Sequence, residues 1–139
     1  MVEINFISVS SKTVVKHLIE MLDALINKKH NVCVLTENQQ EAENTNSVLW
    51  SQSLFLPHVL VNNQLEMETN VVVSYNKIVE TKNKPTHLIL LNKAEVENIN
   101  NFTSIDIVFN ENDNEIKNYN RDRWKNLKNK GFKINATKI

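Results

Sequence analysis

The sequence predicts an α/β domain in which a mostly parallel sheet is flanked by helices. Short β-rich runs alternate along the chain with longer segments at helical spacing, which is typical of that class. The run His87–Asn92 (HLILLN) has an uninterrupted apolar centre, as strands covered on both faces do. The chain has 139 residues and shows no linker, internal repeat or low-complexity segment. We therefore expect one domain over residues 1–139.

The first elements predict a β-α-β unit. Val2–Val9 alternates in polarity and is rich in β-formers, which indicates a strand. A helix is expected over Lys12–Lys29, capped by Ser10 or Ser11. Val32–Leu35 then reads as a short buried strand. The apolar stripe of the helix consists of Val14, Leu18, Met21, Leu22 and Leu25.

The next stretch contains a dense apolar cluster. Asn38–Ser51 is polar at first and becomes apolar at its end, which predicts a second helix. Ser53–Leu60 contains Pro57, which breaks regular structure, so a loop is expected. Such a loop either folds onto the core or forms a partner surface, and the pattern alone favours neither. The cluster consists of Trp50, Leu54, Phe55, Leu56 and Pro57.

The second half adds strands and one long helix. Strands are predicted within Glu68–Tyr75 and over His87–Asn92 and Ile105–Phe109, with Asn76–Thr86 as a loop or short helix between the first two. Lys93–Phe102 has apolar residues at helical spacing and predicts a short helix.

A last helix follows, with acidic residues at its start and a glycine at its end. Glu111, Asp113 and Glu115 suit the positive end of the helix dipole. Gly131 suits the position just past the helix. Phe132–Ala136 is expected to add a final edge strand.

Composition excludes several classes of function. The formal net charge is zero, whereas general nucleic-acid binders show a basic excess over the whole domain. A single cysteine excludes a disulfide framework, and no signal peptide is apparent. No apolar run approaches the roughly 20 residues that span a bilayer. A cytoplasmic protein without a membrane segment is expected.

The chain contains one glycine, Gly131. Phosphate-binding loops need glycines so that backbone N–H groups can approach the ligand. Ser8–Thr13 (SVSSKT) superficially resembles the end of such a loop, but without glycines a capped helix is the better interpretation.

No set of residues predicts catalysis or a bound cofactor. The four histidines (His17, His30, His58 and His87) and Cys33 do not fall at metal-ligand spacings. Cys33 lies in a predicted buried strand, where a thiol behaves as a small apolar group. We therefore predict no metal, no cofactor and no enzymatic activity.

The C-terminal stretch Lys117–Ile139 concentrates positive charge, with eight lysines and arginines against one carboxylate, Asp122. On a helix, one stripe is formed by Lys117, Arg121, Trp124, Lys125 and Lys128. The core-facing side is expected to carry Ile116, Tyr119 and Leu127, with the stem of Arg123 beside them. Such a stripe is either a solvated row of lysines or a site for an acidic ligand with an apolar group to bury.

Two motifs together resemble the chi subunit of bacterial DNA polymerase III. The first is Leu49-Trp50, followed after a short gap by Phe55-Leu56-Pro57-His58. The second is Arg121-Asp122-Arg123-Trp124-Lys125, followed by Gly131-Phe132-Lys133-Ile134-Asn135-Ala136-Thr137. The resemblance implies a Rossmann-like fold without nucleotide chemistry and a non-enzymatic accessory of the clamp loader.

The resemblance also implies two protein partners, with DNA contacted only indirectly. One is the acidic C-terminal tail of single-stranded-DNA-binding protein (SSB), which ends in an apolar residue with a free carboxylate. Its site would comprise Lys117, Arg121, Trp124, Lys125 and Lys128. The other is the psi subunit, which tethers chi to the clamp loader. Its site would comprise Trp50, Phe55, Pro57 and His58. Trp124 stands where the family commonly has tyrosine.

Two alternatives remain open at the level of sequence. The basic stripe could bind single-stranded DNA directly, with Trp124 stacking on a base. The fold class would also suit a degenerate nucleotide-dependent enzyme, by analogy alone.

Overall fold

The structure is a computed structural model of the chain. It describes residues 2–10, 13–27, 31–52, 58–60, 71–75, 86–96 and 99–139. Side chains are not described at residues 26–27, 49–52, 58–60, 71–72 and 100.

The described residues form one parallel sheet with three α-helices. The strands are β1 (Glu3–Val9), β2 (Val32–Thr36), β3 (His58–Leu60), β4 (Val71–Tyr75), β5 (His87–Leu91), β6 (Ser104–Asn110) and β7 (Ile134–Lys138). The helices are α1 (Val14–Asn27), α2 (Gln39–Gln52) and α3 (Asn114–Asn129), with a 3₁₀ turn at Ile99–Asn101. The strand order is β3-β4-β2-β5-β6-β1-β7, and all described pairs are parallel. The predicted fold class is confirmed.

The core has two layers because side chains alternate between the faces of the sheet. On one face Leu18 and Leu22 of α1, both fully buried, pack with Ile89 and Val108. On the other face Ile4, Phe6 and Ile105 form the floor beneath the last helix. Because β6 and β7 lie on either side of β1, the connection through α3 passes over β1.

Three sequence-based predictions of local structure are wrong. A cap at Ser10 or Ser11 is predicted for α1, but the helix begins at Val14. Thr13 caps it instead, since its Oγ1 accepts the Lys16 N–H at 3.2 Å.

His58–Leu60 was expected within a loop, but it is the strand β3, which pairs with β4 in a register that no local pattern encodes. A helix was expected over Lys93–Phe102, but among the described residues of this range only Ile99–Asn101 are helical, as a 3₁₀ turn. Asn92 has a φ of 56° in the left-handed region, which turns the chain away from a helical path.

The remaining described elements lie within a few residues of their predicted bounds. The final strand is an edge strand, as predicted, but it begins at Ile134 and continues to Lys138. Gly131 and Phe132 are used to close the end of α3, so pairing with β1 starts later. The predictions for residues 53–57 and 76–85 lie outside the described residues.

Candidate functional site

The ends of α3 are fixed by local capping. The Asp113 carboxylate accepts the Ile116 N–H at 3.1 Å and caps the start of the helix. At the other end, Gly131 N–H donates to Lys128 O at 3.0 Å and Phe132 N–H donates to Leu127 O at 3.2 Å. These two bonds form a Schellman motif. The φ of 90° at Gly131 is the left-handed conformation that the motif requires.

A buried polar network holds α3 to the loop that follows β5. The Asn120 side chain is 1% exposed and donates to Asn92 O at 3.0 Å. The Arg123 guanidinium donates to Ala94 O at 2.6 Å, to Asn92 O at 2.8 Å and to the Asn120 Oδ1. Burial lowers the pKa of Arg123 to about 10. Sequence reasoning placed Arg123 beside the core but did not find this network, for which the spacing of Asn120 and Arg123 on the inner face was the only signal.

A groove of about 330 Å³ lies between α3 and the strands β1 and β7. We call it the α3–β7 groove. It is lined by Phe6, Ser8, Phe109, Glu111, Lys117, Asn120, Arg121, Trp124, Ala136, Thr137 and Lys138. Aromatic and small apolar residues of the sheet meet an indole and two cations of the helix there. The groove therefore combines apolar surface with positive charge, as a site for an acidic and partly apolar ligand requires.

The structure brings three of the five residues predicted on the helix together in this groove, namely Lys117, Arg121 and Trp124. Lys128 flanks the groove, with its Nζ 4.7 Å from the centroid of the Trp124 ring. Lys125 is exposed and is not among the lining residues. It follows Trp124 by one residue, which turns it about 100° around the helix.

Trp124 contributes to the core and to the groove. Its side chain is half-buried and packs against the core cluster of that face together with Ile116 and Leu127. Tyr119, predicted on the same inner side with Arg123 beside it, is half-buried, and the Arg123 guanidinium lies 5.0 Å from the centroid of the Tyr119 ring. The core fixes the indole, so it is held in place before any ligand arrives.

The charge of the groove is positive. Lys117, Arg121 and Lys138 line it against one carboxylate, Glu111. The Lys138 Nζ lies 3.3 Å from a Glu111 oxygen, so this pair partly compensates itself. Lys117 and Arg121 are left as the cations that face the groove from the helix. The sequence did not predict Lys138 as a residue of the site. The predicted site was built from helical periodicity, which does not show that the last strand lies beside the helix.

A family model described as DNA polymerase III chi subunit, HolC, matches residues 1–135 of this 139-residue chain. The chain belongs to the DNA polymerase III chi subunit family. This confirms the assignment made from the two motifs, and it places the protein among accessory subunits that serve DNA replication. A comparison with curated proteins finds no match.

The second site expected of a chi-family protein lies mostly outside the described residues. Trp50 lies near the end of α2 and His58 opens β3, both described by their backbone only. Phe55 and Pro57 lie outside the described residues. Since β3 and β7 are the two end strands of the sheet, His58 lies at the opposite edge of the sheet from the α3–β7 groove.

Potentially reactive side chains that the structure describes elsewhere in this chi-family chain are buried in its core. Burial raises the pKa of the Cys33 thiol to about 11, so the reactive thiolate is disfavoured. The His87 Nε2 lies 2.7 Å from Asp106 Oδ2, and both residues are buried.

Within the described ranges no three His, Cys, Asp or Glu residues are grouped as metal ligands would be. Those ranges also contain no helix with the length and apolar character of a membrane span.

A polar cluster lies where β2 and β5 end. The Lys93 Nζ is 2.8 Å from a Glu115 oxygen and 3.8 Å from a Glu37 oxygen. Burial, followed by the neighbouring Glu41, raises the pKa of Glu37 to about 7. Through its ion pairs with Glu115 and Glu37, Lys93 connects the start of α3 to the end of β2, which helps to set the position of the helix over the sheet.

Proposed function

We propose that this protein is a non-catalytic adaptor that binds the acidic C-terminal tail of SSB in the α3–β7 groove and links it to the clamp loader. The observation that carries the proposal is the placement of Lys117 and Arg121 around the half-buried Trp124, above an apolar floor. Such a site suits a peptide end that presents an apolar side chain and a carboxylate. Membership of the polymerase III chi family supports the same partner.

The size of the groove determines what part of the tail enters it. At about 330 Å³ the groove is at the lower end of the range of roughly 300–1,000 Å³ found for ligand pockets. It therefore suits the last side chain of a peptide better than a folded segment. Phe6, Phe109 and Trp124 would surround that side chain with aromatic surface.

The energetic roles of the cations and the indole differ. An exposed ion pair contributes about 0–1 kcal/mol and weakens with salt. Micromolar affinity needs about 8 kcal/mol, which a few such pairs cannot supply after the cost of ordering the peptide. Burial of the last side chain against Trp124 must supply much of it.

Arg121 is the residue best suited to the terminal carboxylate. Its guanidinium can donate two parallel hydrogen bonds to a carboxylate, which an ammonium group cannot do. It is exposed at the groove, unlike Arg123, whose donors are taken by the loop after β5. Lys117 would mainly raise the rate of encounter with an acidic partner.

A calorimetric titration with an SSB tail peptide tests the groove. We expect Trp124→Ala and Arg121→Ala each to weaken binding by tenfold or more, which corresponds to the loss of about 1.4 kcal/mol or more. Lys130→Ala is the matched control, since it removes an exposed cation of the same helix end that does not line the groove. Equal affinities for all four proteins would reject the site.

The link to the clamp loader is proposed through Trp50, Phe55, Pro57 and His58, on the strength of family membership. A pull-down with psi or another clamp-loader subunit tests it. Trp50→Ala should lose that partner and keep the tail peptide, whereas Trp124→Ala should do the reverse. If Trp50→Ala captures as much of the partner as the unmodified chain does, the partner does not bind at this surface.

Calorimetric titration with a single-stranded oligonucleotide distinguishes peptide binding from direct binding of single-stranded DNA. An oligonucleotide site would show a steep fall in affinity with salt and would need no peptide. We expect weak oligonucleotide binding that Trp124→Ala does not change. Tight binding that this substitution abolishes would favour the DNA alternative.

A further inference from the structure

Among the described residues, the last strand of the sheet has one paired edge and one edge without a neighbouring strand, which we call the free edge. β7 pairs in parallel with β1, and it is an end strand of the sheet formed by the described residues. Beyond its end, Ile139 N–H donates to Ser8 O at 2.8 Å, and Ser10 N–H donates to Ile139 O at 2.9 Å. Both backbone polar groups of Ile139 therefore face β1.

The period of two in a strand fixes the direction of the other backbone groups. Thr137 and Asn135 have the same parity as Ile139, so their N–H and C=O groups also face β1. The hydroxyl of Ser8, 3.4 Å from Thr137 O, agrees with this direction. The N–H and C=O groups of the alternate residues are directed to the free edge. These alternate residues are Ile134, Ala136 and Lys138.

The free edge is continuous with the α3–β7 groove. Ala136 pairs with Phe6 and Lys138 pairs with Ser8, so their side chains share the face that α3 covers. Both residues line the groove. The same two residues thus border the groove with their side chains and offer unpaired backbone groups beside it. A peptide that ends in the groove and leaves across β7 meets a row of donors and acceptors.

We propose that the free edge of β7 takes up the acidic segment that precedes the last residue of the bound tail, as an added strand of the sheet. This inference rests on the proposed function of the groove. Strand addition is a common mode of peptide recognition in which main-chain hydrogen bonds supply affinity. Main-chain hydrogen bonds do not depend on the identity of the side chains. The acidic segment therefore needs an extended backbone and negative charge, and no defined sequence.

Charge favours an acidic peptide over a second copy of this chain as the occupant of the edge. Lys133 precedes β7 and Lys138 ends it, and both are exposed, although Lys138 also pairs with Glu111. Lysines on an edge strand oppose self-pairing. Antiparallel pairing of two β7 strands would bring Lys138 of each copy toward Lys133 of the other. An acidic strand meets the same lysines with opposite charge.

Two peptides that differ in length test the proposal on the full chain. One contains only the last three residues of the tail, and the other adds six acidic or polar residues before them. We expect the longer peptide to bind about tenfold more tightly, since two or three main-chain hydrogen bonds are gained. Equal affinities for the two lengths would overturn the proposal while leaving the groove as the site of the tail end.

Backbone methylation separates strand pairing from simple charge attraction. Two versions of the longer peptide carry N-methyl groups on alternate residues of the added segment, one version at odd positions and one at even positions. A strand directs only one of these sets toward β7. One version should therefore lose the tenfold gain and the other should keep it. Equal behaviour of the two versions would overturn the proposal.

The protein offers a matched pair of variants at Ala136. Ala136→Pro removes an N–H that faces the free edge and none that faces β1, whereas Ala136→Val adds bulk and keeps the N–H. We expect Ala136→Pro to bind the longer peptide only as tightly as the short one, and Ala136→Val to keep the difference. Unchanged binding by a folded Ala136→Pro would overturn the proposal. If this variant does not fold, the methylated peptides decide.

Two further outcomes are distinguishable. Failure of both peptides to bind the unmodified chain would reject the proposed function and this inference with it. A dimer of the chain in sedimentation that Ala136→Pro dissociates would assign the edge to a second copy and overturn the inference alone.

Discussion

Two arginines that lie two positions apart on α3 have different environments. Arg123 points into the fold, where Asn92 O, Ala94 O and Asn120 accept its hydrogen bonds. Arg121 is exposed and lines the α3–β7 groove. The guanidinium has five donors in a rigid fork, which suits a set of fixed carbonyls in one case and a carboxylate in the other. Their positions around the helix decide which use each residue has.

Substitution of Arg123 is expected to destabilise the protein. Arg123→Ala leaves the buried Ala94 carbonyl and the Asn120 Oδ1 without the Arg123 donors, at a cost of about 2–4 kcal/mol. Urea denaturation of Arg123→Ala, Arg123→Lys and Arg121→Ala measures this. The lysine variant should recover little, because an ammonium group cannot reproduce the fork. A stability of Arg123→Ala equal to that of Arg121→Ala would contradict the structural role.

Glu37 gives the stability of the protein a pH dependence of known sign. Burial and Glu41 raise its pKa from 4.5 to about 7, so the folded state binds this proton more tightly than the unfolded state. The contribution of Glu37 to stability is therefore largest below about pH 4.5 and decreases as the pH rises toward 7. Thermal unfolding of Glu37→Gln should show a flatter profile over this interval. An identical profile for both proteins would contradict the assignment.

At the scale of elements, the C-terminal end of α3 depends on one residue. Gly131 has a φ of 90°, and an added Cβ would meet no atom within 4 Å. The cost of a side chain there comes from the backbone conformation alone. We expect Gly131→Ala to lower the free energy of unfolding by about 1 kcal/mol, and Gly131→Asn to lower it less, as measured in urea. Equal stability of all three proteins would show that the turn is not under this constraint.

The elements that sequence reasoning found are those with a local signal. The alternation of Val2–Val9, the stripe of α1 and Gly131 each report on neighbours along the chain. What it missed depends on partners distant in sequence. β3 exists through its pairing with β4, and the carbonyls of Asn92 and Ala94 bond to Arg123 in place of a helical turn.

The candidate groove also has one part that local sequence signals predict and another part that they do not. Helical periodicity alone brought Lys117, Arg121 and Trp124 to one side of α3, and the structure places all three in the groove. The floor and the far wall come from Phe6, Phe109 and β7, whose proximity follows from the strand order. That order is a property of the whole sheet. The sequence therefore predicts the helical half of the groove and not the half contributed by strands.

At the scale of the whole molecule, the sheet has two ends with different proposed partners. The α3–β7 groove lies beside β7, and the region of Trp50 and His58 lies beside β3, at the opposite end of the strand order. Five strands separate these two end strands. Because the two proposed sites lie at opposite ends of the sheet, we expect the protein to hold both partners at once.

Simultaneous binding is the expected consequence of this arrangement. The affinity for the SSB tail peptide, measured by calorimetry, should be the same for the free chain and for the chain saturated with its clamp-loader partner. The parallel sheet between the sites shows one arrangement and gives no reason for coupling, since coupling requires an element with two discrete arrangements that both ligands bias. Trp124→Ala serves as the control, because it should lose the peptide in both states. A tenfold change in peptide affinity on adding the partner would show instead that the two ends of the sheet communicate.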